Sequence, residues 1–271
     1  MIICFLALNT IVGIAQSNSF GNISYSKATN ISGKQRMLSQ RITKLYMLKL
    51  AGSHGTELTN EFNSSIQLFE RNLAILESNS KESSIKIKST LRNEKNQWES
   101  FKKVLREHSI KKVNSVMTSS NELLTRCHQL VLAIEEESKY SNEYANESSA
   151  EQLKVETINI SGKQRMLSQR LCLYYTACRV YRKEQLDSKA ICDQVEEIYA
   201  EMNKSLNWLL INDLNTFEIE KNIGKILGLF KVIENNKKAF MNNQLPLLQI
   251  MNLSNKITST YNVVTGQYTS L

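Results

Sequence analysis

Proline is almost missing from this chain and glycine is scarce, with 1 Pro and 9 Gly among 271 residues. Sandwiches, barrels and propellers use turn residues roughly every 8 to 12 positions, so these folds are excluded and long helices remain. No block of five like charges occurs either. The formal charge of +8 is spread over pairs such as Lys102-Lys103, Lys111-Lys112 and Lys237-Lys238, which describes a solvated helical surface and gives no reason to expect a nucleic-acid partner. Metal-ligand spacings are missing as well. There is no CxxC or HxxxH, and the histidines His54, His108 and His128 are scattered, so no metal and no cofactor are expected. Paired carboxylates, a Cys/His dyad, a nucleophile elbow and a phosphate loop are equally lacking, and the chain does not read as an enzyme.

Only one long apolar run is present, Ile2 to Ala15, uncharged and ending in the small residues Gly13 and Ala15. It is short of the roughly 20 residues that a membrane span needs. Residues 1–16 therefore read as a secretory signal peptide or, if uncleaved, as an anchor, and the rest as periplasmic or extracytoplasmic. Beyond Cys4, four cysteines remain: Cys127, Cys172, Cys178 and Cys192. An even number suits an oxidising compartment. Cys178 and Cys192 flank the polar stretch 182–187, and a helical hairpin turning there would bring them to one height as a disulfide.

What the chain has in abundance is helical periodicity. Between Gly55 and Gly162 there is neither Gly nor Pro, and apolar residues recur at three and four: Leu58, Phe62, Ile66, Phe69, Leu73 and Leu76, then Ile87, Leu91, Trp98, Phe101 and Leu105, then Val113, Met117, Leu124, Val131 and Ile134. These are stripes of amphipathic helices. Short polar breaks between them imply antiparallel neighbours. With a first helix from about residue 22 to 50, the N-terminal half reads as an up-down four-helix bundle. The run NISGKQRMLSQR at Asn30 to Arg41 recurs unchanged at Asn159 to Arg170, an offset of 129 that also lays Phe101 on Phe230. A whole unit is therefore read as duplicated. The expectation is an all-α chain of two tandem up-down four-helix bundles, 22–140 and 141–271. The stretch 135–151 joins them either as one long shared helix, the preferred reading, or through a real break.

The duplicated run is where side-chain identity matters most. At about 100° per residue, Ile31, Gln35, Leu38, Ile42 and Leu45 share one sector of the first helix, its core face. Gly33, Arg36, Gln40 and Lys44 fall on roughly the opposite side. A Gly inside a helix costs about 0.5 to 1 kcal/mol against Ala, a penalty easier to carry where another helix or a ligand approaches closely. An Arg beside it, with Gln40 and Ser39 nearby, offers a fork of donors suited to a planar oxyanion. Two such helices face to face would repel until an anion entered between them. The bland alternative is that Arg36 and Arg165 pair with glutamates of neighbouring helices.

NISGKQRMLSQR resembles the hallmark of the PilJ-type domain, the N-terminal domain of type IV pili methyl-accepting chemotaxis transducers, and is similar to the ligand box of NarX-type nitrate and nitrite sensors. The resemblance implies an extracytoplasmic four-helix bundle that senses a small ligand and signals by helix displacement. It implies anion contacts at Gly33 and Arg36 and, in the second copy, at Gly162 and Arg165. Gln40 and Gln169 join these as ligand-binding candidates, while Ser39, Arg41, Ser168 and Arg170 are expected to support them. The family's sensors continue into a membrane helix and a signalling domain, whereas this sequence stops at Leu271. It is therefore expected to sense or bind nitrate or nitrite and to report to a membrane signalling protein. The alternative is a ligand-free helical interaction protein of type IV pilus or chemoreceptor machinery. The two motifs would meet either within one chain or across a homodimer.

Overall fold

A computed structural model describes residues 19–144 and 149–271, so the apolar run at the N-terminus and Cys4 lie outside the described residues. The described residues are helical: α1 (Tyr25–Leu50), α2 (Thr56–Asn79), α3 (Ile85–Leu105), α4 (Val113–Tyr144), α5 (Ser149–Lys183), α6 (Lys189–Leu210), α7 (Phe217–Glu234), the short α8 (Lys237–Met241) and α9 (Leu247–Ser270). Hydroxyl side chains start several of them. Ser24, Ser84 and Thr216 accept hydrogen bonds from the backbone N–H groups of Lys27, Ile87 and Ile219, which satisfies donors that a first helical turn leaves unpaired. Ahead of α1, Gly21 takes φ +61°, and a Cβ there would stand 2.5 Å from the carbonyl oxygen of Asn79. Only glycine fits that approach.

Cross-helix bonds fix the directions. Gln35 Nε2 donates to the Phe69 carbonyl, Lys95 meets Glu77 at 2.7 Å, Gln97 meets Glu122 at 3.0 Å, and Thr43 meets Ser120, so α1 to α4 run up, down, up, down. In the later helices Gln164 Nε2 donates to the Met202 carbonyl, Asn222 to Gln267 at 3.2 Å, and Ser168 pairs with Thr258. Thus α6 and α9 run antiparallel to α5, and α7 antiparallel to α9. The apolar stripes face inward as expected: Phe69 stacks on Trp98 with ring centroids 4.1 Å apart, and Tyr199 on Phe230 at 5.9 Å. The disulfide Cys178–Cys192 ties the end of α5 to the start of α6, while Cys127 and Cys172 are buried free thiols.

One expectation is corrected. No long shared helix joins the halves: α4 ends at Tyr144, α5 begins at Ser149, and the two run antiparallel. The direction follows from α1, which is antiparallel to α4, through Tyr25 and Glu137, but parallel to α5, through Ser26 and Glu151 at 2.6 Å and Gln40 and Arg170 at 3.1 Å. The physical reason is the amount of apolar and polar surface on α1. It carries contact residues all around, with 20 of its 26 residues buried, and only a chain that folds back can place α5 against the side that α2 and α4 leave open.

Because Leu38 and Leu167 sit at corresponding places in α1 and α5 and are 0% and 1% exposed, truncation leaves a cavity at either position. Leu38→Ala and Leu167→Ala should each cost about 2 to 5 kcal/mol, read from chemical denaturation of the two variants beside the parent.

Candidate functional site

The two copies of the duplicated run meet where α1 and α5 cross at the same height. At Gly33 a Cβ would lie 3.2 Å from Nη2 of Arg165 and 3.5 Å from Nη2 of Arg36; at Gly162 the same two atoms would be 3.0 and 3.5 Å away. Both guanidinium groups therefore converge on one pair of glycines. Missing Cβ atoms let the two helices and two long side chains share a space that alanines would fill. Gly33, Arg36, Gly162 and Arg165 are thus brought together within a single chain.

Both arginines are buried, at 1% and 0% exposure. Arg36 donates from Nη2 to the backbone carbonyl of Asn159 at 3.1 Å and from Nη1 to Nδ1 of His128 at 3.3 Å. Arg165 donates from Nη1 to Oδ1 of Asn30 at 2.9 Å and of Asn262 at 3.4 Å, and from Nη2 to the Asn30 carbonyl at 3.4 Å. The Nε–H of each has no partner. Among the described residues neither arginine forms an ion pair, so the reading in which glutamates neutralise them does not hold. The carboxylate of Glu135 accepts from the Asn159 amide at 2.7 Å. Each arginine reaches the opposite helix at the residue that begins the other copy of the motif.

Electrostatics follow from burial. Loss of solvent lowers the pKa of Arg36 to about 10, Cys127 and Glu135 partly opposing the shift, and lowers that of Arg165 to about 9, with the charge of Arg36 adding to it. Both remain cations at neutral pH. The seam thus holds two charges that the interior disfavours. His128 is pushed down to about 4, first by loss of solvent and then by Arg36 and Lys163; it is neutral near pH 7, with the proton on Nε2 and Nδ1 accepting from Arg36. Two cations and two unused Nε–H donors thus share the seam, with the Glu135 carboxylate acting on Arg36 from beyond ion-pair distance.

The remaining motif residues lie elsewhere along the seam. Gln40 and Gln169 are not at the glycine pair. Gln40 Nε2 donates to Ser39 and Ser120 while its carbonyl accepts from Arg170; Gln169 donates to Thr258 and Asn255. Ser39 and Ser168 return their hydroxyls to the carbonyls of Arg36 and Arg165. Arg170 also donates to Asn121 and Tyr174, and Arg41 lies 3.8 Å from Glu61. Lys44 is fully buried, bonded to Asn255 at 2.8 Å and 3.6 Å from Glu61.

Sequence reasoning missed His128, Asn262, Asn30 and Asn159 as partners of the arginines. The two asparagines open the repeated motif, so their identity in both copies was a usable signal. His128 and Asn262 have no such mark, because position 128 is matched by Ile257 and position 262 by Ala133.

An all-helical bundle whose centre holds a polar, cationic seam is the class that fold and site define. Residues 21–126, spanning α1 to the first part of α4, match the family model described as Type IV pili methyl-accepting chemotaxis transducer N-term, so this part of the chain is similar to that family. No curated protein and no solved structure matches the chain.

Replacing Arg165 by an apolar side chain of similar length removes a buried charge. Arg165→Met should therefore stabilise the ligand-free protein by about 1 to 4 kcal/mol. The sign with pH is also set: a cation whose folded pKa is depressed to about 9 destabilises fully below that value, and the penalty fades as pH rises toward the unfolded pKa. Denaturation of parent and variant at pH 7 and pH 10 should show the gap narrowing at the higher pH.

Proposed function

We propose that the chain is an extracytoplasmic small-anion sensing or binding protein built from two PilJ-type units, whose single site lies between Arg36 and Arg165. One observation carries this reading: two buried guanidinium groups converge on paired glycines, and among the described residues neither is ion-paired with a carboxylate. An oxyanion there would take charge-assisted bonds worth about 1.5 to 3 kcal/mol each, and it would relieve the repulsion from Arg36 that adds to the effect of burial on the Arg165 pKa. Nitrate and nitrite are the first candidates, being small, planar and singly charged, and the motif is similar to the box of sensors for those ions. Because the binding groups sit on helices of two different units, occupancy biases the α1–α5 spacing, and that displacement is the signal. The receiving protein is a chemoreceptor-type partner, as the family match suggests. The protein binds and reports; it does not catalyse.

The location rests on the apolar run at residues 2–15 and on a disulfide at Cys178–Cys192, a bond that persists in oxidising compartments. Among the described residues no helix is long and apolar enough to cross a membrane. A second reading, a ligand-free interaction protein of the pilus or chemoreceptor machinery, is favoured by the carbonyls of Asn30 and Asn159, which occupy part of each guanidinium without any ion.

Calorimetric titration with nitrate and nitrite, chloride serving as the control, separates the two. One anion per chain is expected in a monomer, with affinity in the micromolar range, and the heat should vanish in a folded Arg36→Ala/Arg165→Ala protein. Gly162→Ala should weaken binding at least tenfold while leaving the helix content intact, because its Cβ would stand 3.0 Å from Arg165. Binding that is unchanged in the double variant would sink the assignment, and silence from the folded parent would favour the second reading.

A further inference from the structure

At the far end of α1 from the arginine pair, about 20 Å away along the helix at about 1.5 Å per residue, the surface forms an open pocket with a volume of about 700 Å³. It opens between the last turns of α1, the first turns of α2 and the end of α3. Its chemistry is of two kinds. Phe62, Leu105 and the ring of Tyr46 give it apolar walls, while Lys49, His54 and His108 supply nitrogen donors. No carboxylate lines it, and among the described residues none of those three basic side chains takes part in an ion pair. Lys49 instead rests over the face of Phe62, with Nζ 4.9 Å from the ring centroid.

The walls are held in place. The Tyr46 hydroxyl donates to the carbonyl of Glu107 at 2.9 Å and accepts from the N–H of Ser109 at 3.2 Å. The His108 ring packs on Tyr46 at 4.6 Å and donates from Nε2 to the Tyr46 carbonyl at 3.3 Å, which leaves Nδ1 uncommitted. Such a volume lies in the range of small-molecule sites, which are mostly apolar with a few placed polar groups. It is far larger than a four-atom inorganic ion needs. The lining asks for a negative charge near Lys49 and an apolar body against Phe62 and Leu105.

We infer that this cavity is a second ligand site, separate from the arginine seam, that takes a small organic carboxylate with an aromatic or aliphatic body. The ammonium of Lys49 would pair with the carboxylate, the ring of Phe62 would cover the apolar part, and the histidines would add hydrogen bonds. This inference stands on its own lining residues and not on the anion reading of Arg36 and Arg165.

The test is calorimetric titration of the full chain with sodium benzoate, phenylacetate and hexanoate against sodium chloride at equal ionic strength, with benzamide as the uncharged counterpart. At least one carboxylate should bind saturably at one site per chain, and benzamide should give no heat. Lys49→Gln should raise Kd tenfold or more and Lys49→Arg should leave it near the parent value. Leu105→Trp, which fills the cavity without touching a charge, should abolish binding, and Arg36→Ala/Arg165→Ala should leave it intact. Circular dichroism checks each variant; if one loses its fold, Thr56→Trp at the exposed mouth makes the same test. No carboxylate binding beyond chloride would overturn the inference. So would binding that survives both Lys49→Gln and Leu105→Trp, or binding lost only with the arginines.

Discussion

Two guanidinium groups share one water-poor seam between α1 and α5, and the rest of the structure has to accommodate them. Burying one unpaired cation costs several kcal/mol, and burying two side by side adds their repulsion. The protein offsets part of this with backbone carbonyls and amides, Asn30, Asn159 and Asn262, and with the neutral ring of His128. It makes room for the pair with glycine on both helices. The remainder of the cost is carried by cores on either side, in which Trp98, Phe69 and Tyr261 are fully buried.

The seam is polar along most of its length. Toward the start of α1 it is joined by Ser26 and Glu151 and by Asn30 and Thr269. Toward the other end come Arg170 with Gln40 and Asn121, and Lys44 with Asn255. Hydrogen bonds of this kind fix register and orientation yet gain little net energy over their hydration, typically about 1 kcal/mol each. The contact between the two groups of helices is therefore specific in its geometry and soft in its energetics. The interiors built by Leu38 and Leu167 are stiff by comparison. A change in charge at the centre of the seam is thus expressed between the groups of helices before it is expressed within them.

Much of the fold was legible in advance. Scarce Gly and Pro and the three-and-four spacing of Leu58 to Leu76 or Ile87 to Leu105 are local properties, and local properties decide helix. Gly33 and Arg36 could be picked out because two identical runs in otherwise different halves leave few explanations apart from contact with each other or with one ligand. Lys44 shows where such reading stops. Its place opposite the apolar stripe put it on the polar face but named no partner; it is fully buried and bonded to Asn255, since burial depends on which neighbour a helix acquires and periodicity cannot say. Gln40 shows the same limit: a donor one turn from Arg36 was grouped with it, but the partner that claims its carbonyl, Arg170, comes from the other helix.

The chain by itself determined its helices, their approximate ends, the apolar stripes and the pair of motifs, because each is set by residues within a few turns of one another. The tertiary structure alone decided that α4 and α5 are antiparallel partners and not one continuous helix, that α1 and α5 lie parallel with Gly33 facing Gly162, and that His128 and Asn262 complete the surroundings of the arginines. These follow from how the buried surface of α1 is shared among α2, α4 and α5, a competition between distant segments that leaves no trace in local spacing.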